Sequence, residues 1–306
     1  MLPRGLICPL LTPLKSTGEV DAVGLKQLWE YVAPYAVAIS LGSSFSLEGV
    51  YLNYEQKQAL FKLISGIWDG NPVLFLNITG ENEACTLHLA QLATSLFESA
   101  LDKVRIEVLP LWYRGNRGLP QHLDKLYTQT QTEIVLANHP SIIKKKKNIL
   151  KHTYIRTSVF KKIAQRQFIK GMIFQGGLSQ FFNYQRALHN RTEFLFYEGD
   201  EAAFLNQPAS DGVVALTANL VPEMWAKLVA EILNPKGDSG NTNLQEIFSL
   251  GLKLRRLYDI GSLSPRVLKW ALAEIGVLPE IYSPYPESLN ENTLLKVKQW
   301  LKDLMN

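Results

Sequence analysis

Eight short runs rich in β-branched and apolar residues recur along this chain, at 5–11, 36–41, 72–77, 104–110, 132–137, 168–174, 193–197 and 212–216. Longer runs with helical periodicity separate them, among them 21–35, 54–68, 81–98 and 119–131. In the first of these, Leu25, Leu28, Trp29 and Val32 fall three to four residues apart and form one apolar stripe. Strands that alternate with amphipathic helices predict a parallel sheet covered by helices. Eight such units within the first 233 residues predict a closed (β/α)8 barrel rather than an open doubly wound sheet. Neither G-x-G-x-x-G nor G-x-x-x-x-G-K-[ST] follows the first run, which argues against a nucleotide-binding sheet. A turn-rich break, PKGDSG at 235–240, follows Asn234, and three helical stretches come after it at 244–258, 265–275 and 292–304. The expected organisation is therefore a barrel over 1–233 and a helical extension over 234–306.

Composition narrows the functional classes. Of 306 residues, 46% are hydrophobic and 20% charged, the balance of a soluble globular chain. The net charge of +4 includes the run Lys144, Lys145, Lys146 and Lys147, so the remainder is nearly neutral. This gives no case for a nucleic-acid or membrane-surface partner, and the lysine run reads most simply as a solvated surface. Cys8 and Cys85 are too far apart, and too few, to suggest a disulfide framework or a zinc site. Pro9 and Pro13 interrupt the apolar N-terminus, and no apolar run is long enough to span a bilayer. A cytoplasmic protein is expected, with no metal and no cofactor.

Five motifs, in order, carry a resemblance. They are GLICPLLTPL at 5–14, Gly42, Ser43 and Ser44 followed by Glu48 and Leu52, NHP at 138–140, GDE at 199–201, and GVVALTAN at 212–219 followed by Pro222. Together they resemble the dihydrodipicolinate synthase / N-acetylneuraminate lyase family, whose patterns read T-P-[FLM], G-T-T-G-E-x-x-x-L, Y-N-x-P, G-D-[DE] and G-[VI]-I-S-V-x-A-N-x-x-P. The second motif carries two extra residues here. The resemblance implies a class I aldolase barrel, in which a lysine amine attacks the ketone of pyruvate and forms an iminium. A tyrosine relays protons, and a hydroxyl-rich loop holds the pyruvate carboxylate.

Carried over residue by residue, the catalytic set is missing. The Schiff-base lysine position, in KGMIF at 170–174, falls on Ile173. The tyrosine of Y-N-x-P falls on Ala137, and the arginine that reads the second substrate's carboxylate falls on Ile142. The tyrosine that family members contribute across a subunit boundary falls on Trp112, with Tyr113 beside it as a possible substitute hydroxyl. Lys170 lies three residues before Ile173, so alternation turns it to the other face of its strand unless a bulge intervenes. The carboxylate-binding part survives: Ser43, Ser44, Gly199 and Val214 match positions that line the pyruvate pocket. Ser43 and Ser44 read equally well as caps for the second helix or as partners for loop amides.

Of the five histidines only His139 falls beside the barrel mouth, whereas His88 and His122 read as helix-surface or packing residues. Asp200 and Glu201 read as a helix-capping turn before they read as paired catalytic carboxylates. The leading expectation is a pseudoenzyme: a structural or regulatory partner, or a binder of a small carboxylate or keto acid. The alternative is an active or repurposed lyase acting on a pyruvate-like keto acid. The resemblance also implies a homodimer or tetramer, or a hetero-oligomer with an active paralogue. Trp112 would then lie at the interface, unless it closes the mouth of its own barrel.

Overall fold

The computed structural model describes residues 1–146, 152–189, 191–208, 210–234, 244–261 and 263–305. Lys147, Asn148, Lys151 and the turn at 235–240 lie outside the described residues. Eight parallel strands close into a barrel in sequence order: β1 (Gly5–Leu10), β2 (Ala38–Leu41), β3 (Val73–Asn77), β4 (Val104–Val108), β5 (Ile134–Asn138), β6 (Ile169–Phe174), β7 (Leu195–Glu198) and β8 (Gly212–Val214). The seam pairs Gly5 with Gly212. A Cβ on Gly212 would stand 2.2 Å from the Gly5 carbonyl oxygen, so only glycine lets β1 and β8 approach this closely.

Helices α1 (Ala22–Val32), α2 (Tyr54–Ile67), α3 (Glu83–Leu96), α4 (Leu119–Thr130), α5 (Pro140–Lys145), α6 (Thr157–Ile163), α7 (Leu178–Leu188), α8 (Glu201–Asn206) and α9 (Pro222–Leu233) follow the strands. Their starts are local chemistry. Asp21, Asn82 and Asp200 accept backbone N–H bonds as N-caps, and Asn53 forms a reciprocal capping box with Gln56. Proline opens α5 and α9 at the first turn, where its missing N–H costs nothing. The apolar stripe of α1 is buried as the periodicity predicts. No helix among the described residues is long and apolar enough to cross a membrane.

The extension comprises α10 (Leu244–Asp259), α11 (Pro265–Glu274) and α12 (Glu291–Met305). It is tied to the barrel by a fully buried ion pair. Lys269 Nζ, on α11, lies 3.0 Å from Glu48 Oε2 and donates to the carbonyls of Thr12 (2.6 Å) and Tyr282 (2.8 Å). The Glu48 carboxylate also accepts from Thr12 N at 2.6 Å and from the Ser283 hydroxyl at 2.7 Å. All three ammonium protons and both carboxylate oxygens are thus answered, the condition under which a buried pair is tolerated.

The lysine run is less detached than a solvated face. Lys145 Nζ donates to the Tyr285 hydroxyl, and Lys146 Nζ donates to Trp112 O at 2.8 Å. Both ammonium groups also sit over the aromatic rings they bond beside, at 4.8 and 4.3 Å from the centroids.

Removing one partner of the buried pair leaves a charge without a counterion. Lys269→Met should therefore destabilise the protein by about 3–5 kcal/mol in urea unfolding. The double variant Lys269→Met/Glu48→Gln should recover part of that loss. A single-variant effect under about 1 kcal/mol would mean that the Glu48 carboxylate is held well enough by Thr12 and Ser283 alone.

Candidate functional site

The catalytic chemistry of a parallel barrel gathers at the C-terminal ends of its strands. In β6 the inward residues are set by register, since Ile173 pairs with Ala137 on β5 and Tyr197 on β7. Tyr197 faces Phe75 across the barrel with ring centroids 6.1 Å apart, which places this whole set inside. Ile173 and Ala137 are fully buried, so two alkyl groups meet at the mouth end of β5 and β6. Ile142, on α5, is buried in the core as well.

Lys170 sits where the β5–β6 register shifts, the bulge that recruiting it would require. The bulge nevertheless leaves it at the barrel floor. Its Nζ pairs with Glu133 at 3.3 Å, and Glu133 also binds Arg105 at 2.8 Å. The Tyr113 hydroxyl, the possible substitute beside Trp112, is hydrogen-bonded with His122 Nε2 at 2.7 Å. Trp112, half-buried, packs edge-on against Tyr51 within its own chain, and Tyr51 in turn packs against Tyr285 of the extension. These rings roof the β4 side of the mouth.

The loop after β2 departs from the expected carboxylate cradle. Ser43 does not cap α2, which Asn53 caps, but satisfies a loop amide, accepting from Phe45 N at 3.3 Å at the start of the 3-10 turn Ser44–Ser46. Its hydroxyl also donates to Glu107 Oε1 at 2.9 Å. Glu107 points inward from β4 and accepts further from Asn77 Nδ2 at 2.7 Å and from the Ser40 hydroxyl. The hydroxyl expected to hold a ligand's carboxylate holds one of the barrel's own. Burial pushes the Glu107 pKa up against these three hydrogen bonds and the nearby Lys57 ammonium. Lys57 reaches in from α2, donates to Thr79 O at 2.7 Å, and is lowered to about 8 by burial. Ser44 Oγ is buried without a hydrogen-bond partner.

The two extra residues of this loop include Phe45, whose ring fills the mouth. It stacks on His139 with centroids 4.4 Å apart and planes 8° from parallel. A Cβ at Gly199 would stand 2.3 Å from Phe45 Cε1, so glycine there makes room for the ring. Burial lowers His139 to about 3, which keeps its imidazole neutral, and its Nδ1 has no hydrogen-bond partner.

Beside this plug a cleft of about 290 Å³ remains, lined by Phe45, His139, Gly199, Glu201, Val214 and Tyr258 among others. Glu201 is more than a helix-start residue. Its carboxylate accepts from Thr217 N (2.8 Å) and Thr217 Oγ1 (2.6 Å), and burial raises it to about 7. Asp200 alone does the capping. Glu198, at the end of β7, is raised by burial to about 8.

Sequence reading brought Gly199, Val214 and His139 to one cleft but missed Glu107, Lys57, Phe45 and Glu198. A signal existed for one of them. In VRIEV at 104–108, Arg105 and Glu107 share a face of a strand that must be buried on both sides. His88 is exposed on α3, while His122 is buried. No cluster of three metal-ligating side chains exists among the described residues.

A family model for the dihydrodipicolinate synthetase family matches residues 2–304. The 4-hydroxy-tetrahydrodipicolinate synthase of Psychromonas ingrahamii is 27% identical over 279 residues, which cover 90% of this chain and 89% of that one. The enzyme of that name from Coxiella burnetii is 24% identical over 309 residues, 98% of each chain. Among solved structures, dihydrodipicolinate synthase from Aquifex aeolicus superposes with a TM-score of 0.81 at 18% identity, over 99% of this chain and 98% of that one. YagE, a prophage protein of the family from E. coli solved with pyruvate, superposes with a TM-score of 0.82 at 17% identity, over 100% and 99%. The ordered motifs, the barrel with its helical extension and a match over nearly the whole length agree: this chain belongs to the dihydrodipicolinate synthetase family.

Proposed function

We propose that this chain is a family barrel that has lost pyruvate iminium chemistry and binds a small carboxylate at its mouth, as a structural or regulatory partner. The observation that carries the reading is the alkyl pair Ile173 and Ala137, buried side by side at the end of β5 and β6. Iminium formation needs an amine there, and turnover needs a proton relay next to it. Ser44 Oγ and His139 Nδ1, buried without partners, support a ligand at the mouth, since buried polar atoms are rarely left unsatisfied.

A second reading, an active lyase on a keto acid, has Lys57 in its favour. Its lowered pKa leaves part of the amine neutral near pH 8, the state a nucleophile needs. Against it, Lys57 is fully buried and its Nζ is bonded to the Thr79 carbonyl.

Borohydride trapping with pyruvate separates the two readings. The intact mass of the wild-type chain should not change, and an adduct mapped to Lys57 would establish the lyase. Ile173→Lys alone should not restore turnover, because Ala137, Trp112 and Ile142 still lack the relay and the substrate-reading groups, and such groups act non-additively. Near-family activity from that single variant would sink the argument.

Binding should depend on pH through Glu201. With its pKa raised to about 7, it is mostly neutral at pH 6 and mostly anionic at pH 8. His139 is neutral throughout this range, so it contributes no opposing change. Affinity for acetate or pyruvate, read by titration calorimetry, should fall several-fold as pH rises from about 6 to about 8 through like-charge repulsion. Glu201→Gln should flatten the profile. Equal pH dependence in that variant would assign the effect to another group.

A partner role also implies assembly, as a homodimer or tetramer or with an active paralogue. Light scattering should then give a mass above one chain, reduced by Trp112→Ala. A single-chain mass, with no complex formed with an active paralogue, would leave a stand-alone small-carboxylate binder.

A further inference from the structure

Outside the barrel wall, between the C-terminal ends of β6 and β7 and the helices α7 and α8, lies a cleft of about 320 Å³. Register settles which side chains face it. Ile173 and Tyr197 pair and point into the barrel, so their successors Phe174 and Glu198, which also pair, point outward. Phe174 packs on Phe181 of α7 with ring centroids 5.7 Å apart. These two rings and the exposed Leu178 give the cleft apolar walls, and Glu198 is the one ionisable side chain among its described lining residues.

The surroundings of the acid are fixed. A Cβ at Gly176 would stand 2.6 Å from Phe174 Cζ, so glycine lets the loop after β6 close down on that ring. The carboxylate is oriented from behind, since Glu198 Oε1 accepts from Asp200 N at 3.0 Å on the turn that starts α8. Asp200 itself caps Ala203 N at 3.1 Å and adds a like charge beside Glu198. Arg255 of α10 does not line the cleft: it donates to Asn206 Oδ1 at 3.2 Å and pairs with Asp259 at 2.9 Å.

The polar atoms along the cleft call for a donor. Ser210 spends its proton on Gly212 O at 2.8 Å, which leaves its oxygen as an acceptor. Burial, with Asp200 nearby, raises Glu198 to about 8, the response of an acid taken out of water without a counterion. An anion here would meet one carboxylate with a second beside it, and no lysine, arginine or histidine among the described lining residues. A purely apolar occupant would exclude water from Glu198 and offer it nothing in return. An ammonium supplies both the missing charge and up to three N–H donors, and the aromatic walls accept the hydrocarbon next to it.

We propose that this cleft binds a small primary amine with an apolar body, its ammonium paired with Glu198 and its hydrocarbon part laid against Phe174, Phe181 and Leu178. The volume falls at the small end of ligand pockets, which span about 300–1,000 Å³. The site lies on the outer face of β6 and β7, so it is separate from the barrel mouth and does not rest on the reading given to the mouth.

Titration calorimetry of the full chain with phenethylamine at about pH 7, in two buffers of different ionisation enthalpy, tests the proposal. One site is expected. Glu198 is mostly protonated at that pH, so pairing with the ammonium should release close to one proton per amine bound into the buffer. Glu198→Gln, whose amide oxygen can still accept from Asp200 N, should weaken binding about tenfold or more and abolish the proton release. Leu178→Ala, at an exposed wall position, should weaken binding several-fold and leave the proton release intact. Phenethyl alcohol, of the same shape without the charge, should bind about tenfold more weakly, and phenylacetate should not bind. Absence of amine binding, an affinity for either analogue equal to that for the amine, or unchanged affinity in Glu198→Gln would overturn the proposal.

Discussion

Closing eight parallel strands into a barrel leaves a core without room for bulk water, so a polar group that points inward must find its partners inside. Glu107 is where this chain meets that constraint most sharply. A carboxylate in the middle of a strand would normally cost several kcal/mol to bury. Here it is met by hydroxyls from two positions of the β2 segment, an amide from β3 and the nearby Lys57 ammonium. Each of those partners is thereby withdrawn from other work. Ser43 cannot present its proton to a ligand while it gives it to Glu107, and Asn77 is fixed in the same way. The interior acid decides what the surrounding loop is free to do.

The same accounting explains the plug. The loop after β2 needs an apolar cover over the polar cluster it has built, and Phe45 supplies one by stacking on His139 and lying against Gly199. A stacked pair of this kind contributes about 0.5–1.5 kcal/mol beyond its buried area. The alkyl pair at β5 and β6 is fully buried as well. An amine at position 173 would sit in apolar surroundings that disfavour its charged form, so Ile173, Ala137 and Phe45 suit one another as a set. On the opposite side Glu48 and Lys269 hold the extension against the mouth, and Tyr285 brings an aromatic roof over Trp112 and Tyr51.

The architecture was legible because period and composition report burial directly. Runs that must be apolar on both faces became the eight strands, and stripes at helical spacing became the helices around them. Strand limits drifted by one or two residues, as at 132–137 against Ile134–Asn138, because pairing ends are set by register with the neighbouring strands and not by the local run. Strict alternation did not decide Lys170, because the β5–β6 register shifts at that residue and leaves it paired with Glu133 at the barrel floor. The site was legible only where a motif marked it. Nothing in local sequence says that Lys57, on a helix outside the barrel, reaches through to the Thr79 carbonyl. Glu107 was readable in principle and hidden in practice, because a charged residue in a predicted strand is ordinarily assigned to a solvent face. Contacts such as Phe45 with Gly199 join residues more than 150 positions apart, and only the closed barrel brings them together.

If iminium chemistry has been lost as proposed, these features bear on how a barrel can leave such chemistry behind. An aldolase mouth is held open and polar at some expense in stability, since it keeps an amine, a phenol and carboxylate donors ready for a ligand that is absent most of the time. Replacing the amine by isoleucine removes the desolvation cost of that charge and adds apolar contact worth about 1.5–3 kcal/mol when fully buried. Once the amine is gone, the relay phenol has no iminium to serve, and an alanine in its place packs against the isoleucine without an unsatisfied hydroxyl. The carboxylate donors are then better used inside, and Glu107 uses them. What such a sequence of substitutions does not remove is the cleft beside Glu201, because that carboxylate is bonded to Thr217, which itself accepts from the buried Trp225 indole. Dismantling it would strand a buried donor and a buried acid in the core, so the part of the mouth that survives is the part whose polar groups the fold itself needs.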